Sequence, residues 1–244
     1  MRNVRLDLCY DGTRYKGWQR LSTTDNTIQA KLETVLGRIL GETVEIIGSG
    51  RTDAGTHAAL QVANFHCDSN MPCDEILLQL RRYLPEDIGI YSCKNVSPRF
   101  HARLNAKTKT YVYHLWNSKM PCVFERRYVF VDPRPLELEK MRAAAKYYIG
   151  QHDFSAFCAN KNMKKSTVRY IESFCIDKQD GHIYFTVCGN GFLHHMVRIM
   201  VGTLLEVGRG ERAPESIPAL FGAPRADAGE LIPACGLMLK EVTY

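Results

Sequence analysis

The alternation of apolar and polar residues divides the chain into short strands and amphipathic helices. Residues 2–10 alternate at every second position, as a half-buried strand does. Thr27 then precedes a stretch in which apolar residues recur every three or four positions, which predicts a helix that begins at Thr27. For the rest of the first half, the same reasoning predicts strands at 44–51, 60–67 and 88–96 and a helix at 74–84.

This order of elements, β-α-β-β-α-β, is the ferredoxin-like pattern, and the second half of the chain repeats it. The predicted fold class is α+β, with two ferredoxin-like halves, 1–105 and 106–244, that share one mainly antiparallel sheet with flanking helices. No linker rich in Pro, Gly or Ser lies near residue 100, which favours one shared core over two independent RNA-recognition-like domains. The predicted elements of the second half are strands at 109–116, 128–132, 168–177, 182–189 and 236–243 and helices at 136–150 and 192–208.

Composition adds a weak indication of the partner and a stronger one of the compartment. The chain has 32 basic and 26 acidic residues, a net charge of +6 that suits a polyanionic partner. Its nine cysteines are scattered, without a CxxC pair, so neither a zinc ribbon nor a complete disulfide framework is expected. The most apolar helical stretch, between Arg198 and Glu206, is too short to span a bilayer. We therefore expect a soluble, reduced, cytoplasmic protein that does not associate with membranes.

The segment GSGRTDAGTHA, residues 48–58, has the most unusual composition in the chain. Its glycines allow a tight turn and the close approach of a ligand. If the strand before it continues, Arg51 and Asp53 point to the same face, and the arginine favours the ionised carboxylate, available as nucleophile or base. A phosphate-binding loop is excluded, because Thr56 stands where that loop needs lysine. An ordinary turn, in which the carboxylate only bonds the backbone, stays open as an alternative.

The same segment is similar to the signature of the TruA family of pseudouridine synthases. The chain has GRTDAGTHA where the family has GRTDAGxHA, and Thr56 stands where valine is usual. Two further departures are His194, where the family often has arginine, and Ala234, where a second proline is common. Four other blocks resemble the family in the same order along nearly the whole chain: YDGTRYKGWQ at 10–19, KTYVYHLW at 109–116, NGFLHHMVRIMVG at 190–202 and PACGLMLKEV at 233–242.

The resemblance implies the pseudouridine synthase fold and the isomerisation of uridine to pseudouridine in tRNA, usually at positions 38 to 40 of the anticodon arm. Asp53 would be the catalytic residue, either attacking the ribose C1′ or assisting proton loss from C2′. Tyr111 matches the tyrosine that packs against the flipped uracil, and Arg198 matches the arginine near the aspartate. With Arg51, these are the expected substrate-binding residues. The resemblance implies no cofactor, and it implies a homodimer that holds the RNA across both subunits.

Each of these side chains also has a plain structural interpretation. Tyr111 fits any half-buried strand, because it alternates with Val112 and Tyr113. Arg198 fits a helix arginine whose stem packs while its charge reaches solvent. No metal site is expected, since the histidines show no third ligand at usable spacing. Basic residues that could together contact RNA phosphates are Arg14, Lys16, Arg20, Arg99, Arg103, Lys107, Lys109, the stretch KNMKK at 161–165, and Arg169.

Two other function classes are compatible with the predicted fold. A catalytically silent RNA-binding protein would need stacking aromatic residues on its sheet, and the acidic turn of GRTDAG counts against it. A small-molecule lyase or hydrolase could use the same α+β scaffold, because a fold does not fix a function. Release of tritium from labelled uridine in tRNA would distinguish all three classes.

Overall fold

The computed structural model describes residues 1–160 and 165–244. They form two compact units: Met1–Lys107 together with Met238–Tyr244, and Thr108–Leu237. The strands are β1 (Arg2–Tyr10), β2 (Ile46–Gly48), β3 (His57–Cys67), β4 (Ile88–Val96), β5 (Lys109–Trp116), β6 (Phe130–Val131), β7 (Gly150–Asp153), β8 (Val168–Gln179), β9 (His182–Gly189) and β10 (Leu237–Val242). The α-helices are α1 (Ile28–Leu40), α2 (Cys73–Tyr83), α3 (Leu138–Ala145) and α4 (Met196–Gly208).

The first unit follows the predicted β-α-β-β-α-β order. β1 lies between β3 and β4 and pairs antiparallel with both, and β2 pairs antiparallel with β3. The apolar residues of β1, among them Val4 and Leu6, are fully buried, as the alternation predicts. Thr27 caps α1 by accepting a hydrogen bond from the Ala30 amide, and Gly41, at φ 72°, ends the helix. The closing strand β10 belongs mainly to this unit and pairs parallel with β3.

The second unit has the order β5-β9-β8-β7, antiparallel throughout, with the short β6 parallel to β5. Helices α3 and α4 pack on each other and on its strands. Together with the first unit, this confirms the α+β class with mainly antiparallel pairing and flanking helices. The division into halves at residues 105 and 106 stays a prediction. Among the described residues, no helix has both the length and the apolar character that crossing a bilayer requires.

The bounds of several predicted elements differ in the structure, and three of them change the most. The helix expected at 136–150 ends at Ala145, and the chain then makes a 3₁₀ turn and enters β7, which was not predicted, at Gly150 with φ 107°. The helix expected at 192–208 begins only at Met196, because His195 adopts a left-handed conformation with φ 63°. The strand expected at 44–51 is reduced to the three residues of β2.

Thr56, the residue before β3, is a buried polar group of the first unit. Its side chain is 1% exposed, and its hydroxyl has no hydrogen-bond partner among the residues that the structure describes. Thr52, four residues earlier, is also buried, but its hydroxyl lies 2.8 Å from the Tyr10 hydroxyl and forms a hydrogen bond with it. A buried polar group without a partner costs free energy that a bonded one does not.

We therefore expect Thr56→Val to stabilise the protein, because valine keeps the shape and removes the unsatisfied hydroxyl. The free energy of unfolding should rise by about 1 kcal/mol. Thr52→Val is the matched control, and it should lower the free energy of unfolding by a similar amount because it breaks a bond. Urea unfolding of the three proteins measures both. A Thr56→Val protein that is less stable than the parent would show that the hydroxyl is satisfied.

Candidate active site

Asp53 lies in the loop of residues 49–56 that joins β2 to β3 in the first unit. Its side chain is half-buried, between the buried Thr52 and the exposed Ala54. The strand does not continue through this loop, so the expected shared face of Arg51 and Asp53 on one strand was wrong. The Arg51 side chain is exposed, and within the described part of the chain it forms no hydrogen bond or ion pair. The loop thus presents a half-buried carboxylate and, two residues earlier, an exposed guanidinium.

Buried side chains on the neighbouring strands hold this loop. The Tyr10 hydroxyl bonds the Thr52 hydroxyl at 2.8 Å, and burial raises the pKa of Tyr10 to about 12, so the phenol is neutral at physiological pH. The Gln61 amide donates to the Gly50 carbonyl at 3.1 Å and its oxygen accepts from the Ser49 hydroxyl at 2.5 Å. Tyr10 and Gln61 are both almost completely buried, so each of these hydrogen bonds is costly to break.

The segment of residues 10–18, which begins at the last residue of β1, lies directly on the loop backbone. The Trp18 amide donates to the Thr52 carbonyl at 3.0 Å, and the Gly55 amide donates to the Tyr15 carbonyl at 3.3 Å. A Cβ atom at Gly12 would lie 2.0 Å from the Thr56 carbonyl oxygen, and one at Gly17 would lie 2.7 Å from the Thr52 carbonyl oxygen. The glycines of YDGTRYKGWQ are therefore required because two backbones meet there without room for side chains.

Gly48, the last residue of β2, has a role other than the one expected. The sequence suggested that its small size admits a ligand. In the structure, an added Cβ would lie 2.5–2.7 Å from atoms of the Trp18 indole, which is itself buried. Gly48 thus makes room for a core side chain of the same unit.

The turn after the aspartate is closed by the backbone. The Thr56 amide donates to the Asp53 carbonyl at 3.1 Å, and Gly55 takes the left-handed conformation, with φ 77°, that such a turn needs. The hydrogen bond that closes this turn thus joins two backbone groups.

Tyr111, the aromatic residue expected to bind the substrate, lies in the second unit on β5, which is buried on both faces around this position. Tyr111 of β5 is 7% exposed, and its ring meets Phe192 edge to face, with centroids 5.1 Å apart. Tyr113, two residues on, donates its hydroxyl to the Pro233 carbonyl at 2.7 Å, and burial raises the pKa of its phenol well above the usual value. Tyr113 is thus a structural core residue, while Tyr111 packs against an aromatic residue in the approach to α4.

Arg198 lies in the first turn of α4 and is half-buried. Its Nε donates to the Ile232 carbonyl at 2.8 Å, so the guanidinium is anchored to the backbone. The plain interpretation of Arg198 as a helix arginine whose stem packs while its charge reaches solvent stays open, with its Nε held at this carbonyl.

His195, directly before this helix, was not singled out by the sequence. Left-handed backbone in a residue other than glycine costs about 1–2 kcal/mol, and such strain is concentrated at functional sites. The ring of His195 lies 3.7 Å from that of His194, centroid to centroid. The sequence shows that two histidines are adjacent, but it contains no signal for the left-handed backbone of His195.

The basic residues expected to contact RNA differ in how far neighbouring carboxylates already neutralise their charge. Arg14 is bound to Asp87, with its two nitrogens 2.9 and 2.6 Å from one carboxylate oxygen, and Arg20 lies 2.9 Å from Glu33. Arg103 is exposed, and its side chain forms no ion pair among the described residues. Of the stretch KNMKK, residues 161–164 lie outside the described residues. The remaining exposed candidates are Lys16, Arg99, Lys107 and Lys165.

Comparison with known proteins places this chain in one family. The family model described as tRNA pseudouridine synthase matches residues 9–105 and 144–244. The chain is 45% identical to "tRNA pseudouridine synthase A" of Bacillus sp. (strain KSM-64) and 47% identical to "tRNA pseudouridine synthase A 1" of Clostridium tetani, in both cases over 100% of each chain.

Among solved structures, a chain of the archaeal box H/ACA sRNP Nop10–Cbf5 complex aligns with 83% of this chain and 44% of its own length, at 14% identity and a TM-score of 0.38. That similarity is too low to establish anything further. The family match covers both the loop of Asp53 and the helix of Arg198, and the relatives match from end to end. The chain therefore belongs to the tRNA pseudouridine synthase family, which makes it an isomerase.

Proposed function

We propose that this protein isomerises uridine to pseudouridine in tRNA, with Asp53 as the nucleophile. The observation that carries the proposal is the loop of Asp53: its backbone is fixed by buried hydrogen bonds and by glycine contacts, and it holds the half-buried acidic side chain in one place. A catalytic group must be held in place by its surroundings, and this loop meets that requirement. Family membership supplies the reaction.

The reaction needs one carboxylate and rearranges atoms within a single nucleotide. The bond between the ribose C1′ and uracil N1 breaks, the uracil turns, and a bond forms between C1′ and C5, while the C5 proton is lost and N1 gains one. In the proposed sequence, the ionised Asp53 attacks C1′ and leaves it again when C5 takes its place. The target base must first leave its stack, as for other enzymes that act on bases.

Three further residues are proposed to bind the substrate. Tyr111 is the aromatic ring for the flipped uracil, and its edge-to-face contact with Phe192 fixes the orientation of that ring. Arg198, anchored at the Ile232 carbonyl, offers a preorganised cation for the nucleotide. Arg51 is exposed on the loop of Asp53 and is proposed to contact a phosphate.

The target within tRNA and the oligomeric state are proposed from the family resemblance. We place the modified uridines at positions 38 to 40 of the anticodon arm, which mapping of pseudouridines in tRNA treated with the purified enzyme would test. We also propose a cytoplasmic homodimer that acts without a cofactor or a catalytic metal ion. Sedimentation at micromolar concentration should then show a mass near twice 27.8 kDa.

Replacing the carboxylate is the direct test of the mechanism. Asp53→Asn keeps the shape and the hydrogen-bonding capacity of the side chain but removes its charge and nucleophilicity. Turnover should fall by more than about 10⁴-fold, while the melting temperature and tRNA affinity stay close to those of the parent. Tritium release from labelled tRNA measures turnover.

Asp25→Asn is the control for this substitution, because the Asp25 side chain is 87% exposed and lies outside the loop. It should retain full turnover. Multiple turnover by purified Asp53→Asn at a rate near that of the control would disprove the assignment of Asp53.

The hydroxyl and the ring of Tyr111 can be separated by two substitutions. Tyr111→Phe keeps the ring, so tRNA affinity should change little while turnover falls. Tyr111→Ala also removes the stacking surface, which is worth about 1–3 kcal/mol per base, so affinity should fall as well. Tyr91→Phe, at an exposed position of β4, is the control and should leave both unchanged. If Tyr111→Phe matches the parent and Tyr111→Ala fails, the tyrosine is only a stacking platform.

The charge state of the basic residues predicts which of them contribute to RNA affinity. We expect Arg103→Gln to weaken the salt dependence of tRNA binding, because one phosphate contact is lost. The slope of the log of the binding constant against the log of the salt concentration should become shallower by about 0.7 to 0.9. Arg14→Gln should change the slope less, because Asp87 already neutralises Arg14. Filter binding at several salt concentrations gives both slopes. A slope for Arg103→Gln equal to that of the parent would show that Arg103 makes no phosphate contact.

A further inference from the structure

A cluster of aromatic and imidazole rings covers one face of the paired strands β5 and β9 of the second unit, and it includes none of the residues proposed above for catalysis or substrate binding. His114 and Trp116 lie on β5, and His182 and Tyr184 lie opposite them on β9, in the register His114↔Tyr184 and Trp116↔His182. Tyr184 stacks on His114, and Trp116 packs against His182, each pair with centroids 4.5 Å apart. The rings fix one another's orientation, so the imidazole nitrogens are positioned by packing.

Two imidazole nitrogens and one carboxylate converge at this cluster. Nε2 of His114 and Nδ1 of His182 are 2.6 Å apart, and Oε2 of Glu125 lies 3.9 Å from the same Nδ1. One ligand atom from each residue lies within 4.8 Å of the others. Glu125 belongs to the connection between β5 and β6, so three separate parts of the chain supply the three groups.

We propose that His114, His182 and Glu125 bind one divalent transition-metal ion, for which zinc is the favoured occupant. Two imidazoles and a carboxylate are a ligand set that zinc takes, with the fourth position open to water. In a tetrahedral site with bonds of about 2.0–2.2 Å, the ligand atoms lie about 3.3 Å from one another. The two nitrogens would therefore move apart by less than 1 Å and the carboxylate would approach by a similar amount.

The exposure of the three side chains permits this adjustment. The Glu125 side chain is 52% exposed and lies in an irregular connection, while that of His182 is 19% exposed. His182 is the first residue after the turn at Asp180 and Gly181, both with positive φ, which places the imidazole at the end of a hairpin. The metal would replace the proton that the two rings share and would join the connection to the strands.

The plain alternative is a histidine pair joined by one hydrogen bond, with Glu125 nearby by chance. In that case one neutral ring donates to the other, and no cation other than a proton is bound. The alternatives differ in their dependence on Glu125. A hydrogen-bonded pair does not need the carboxylate, whereas a metal ion loses a charged ligand without it.

The test is titration of zinc chloride into the chelator-treated full chain at neutral pH, followed by calorimetry. The parent should bind zinc at micromolar concentration or below. Glu125→Gln should weaken this binding by about tenfold or more, and His182→Gln should abolish it. Glu139→Gln makes the same change of charge at an 86% exposed glutamate of α3 and should bind as the parent does. Because the Glu125 side chain is exposed, Glu125→Gln, the decisive variant, is expected to fold even if His182→Gln does not.

A second measurement reports the site without relying on heat. Arg126 and Arg127 directly follow Glu125, so zinc should slow tryptic cleavage there in the parent and in Glu139→Gln but not in Glu125→Gln. A parent that binds no zinc at micromolar concentration would overturn the proposal. Equal zinc affinity of Glu125→Gln and Glu139→Gln would overturn it as well, because the ion would then lie elsewhere. Neither measurement involves turnover, so the outcome is independent of the proposed reaction.

Discussion

The first unit depends on a close contact between two stretches of backbone that leaves no space for side chains. Residues 10–18 press against the loop of Asp53 so closely that Gly12 and Gly17 have no space for a Cβ atom. β1 runs into this contact from one side and β3 leaves it on the other, and the two strands pair along their length. The position of the carboxylate is therefore tied to the centre of the sheet. A change that separates the two backbones would disturb the sheet as well as the loop.

The elements governed by local rules could be predicted from the sequence, and those governed by distant contacts could not. The bounds of α1 follow from Thr27 and Gly41, which act within one turn of their own positions. The end of α3 depends on Tyr148, whose ring is buried against Phe157 and Phe174, and no local pattern contains that information. β2 is short because its pairing with β3 ends with the bond from the Ser49 amide to the Val62 carbonyl, and from Thr52 onward the backbone bonds to the segment after β1.

The same distinction applies to the sites. Asp53 could be selected because its motif is contiguous, but the side chains that hold its loop, Tyr10 and Gln61, lie outside that motif. The proposed metal ligands were missed for a related reason. His114 and His182 become neighbours only through the register of β5 and β9, and a search for ligands at short spacing along the chain passes over them.

The first unit is not a contiguous piece of the chain, because the last strand, β10, completes it. Met238 and Leu239 pair with His57 and Ala58, the residues that follow the loop of Asp53. During synthesis, the ribosome makes the loop well before the strand beside it, because the whole second unit lies between them in the chain. The loop is therefore complete before its support has been made. A nascent or prematurely terminated chain would carry the complete Asp53 motif and still lack the neighbour that its strand β3 has in the full protein.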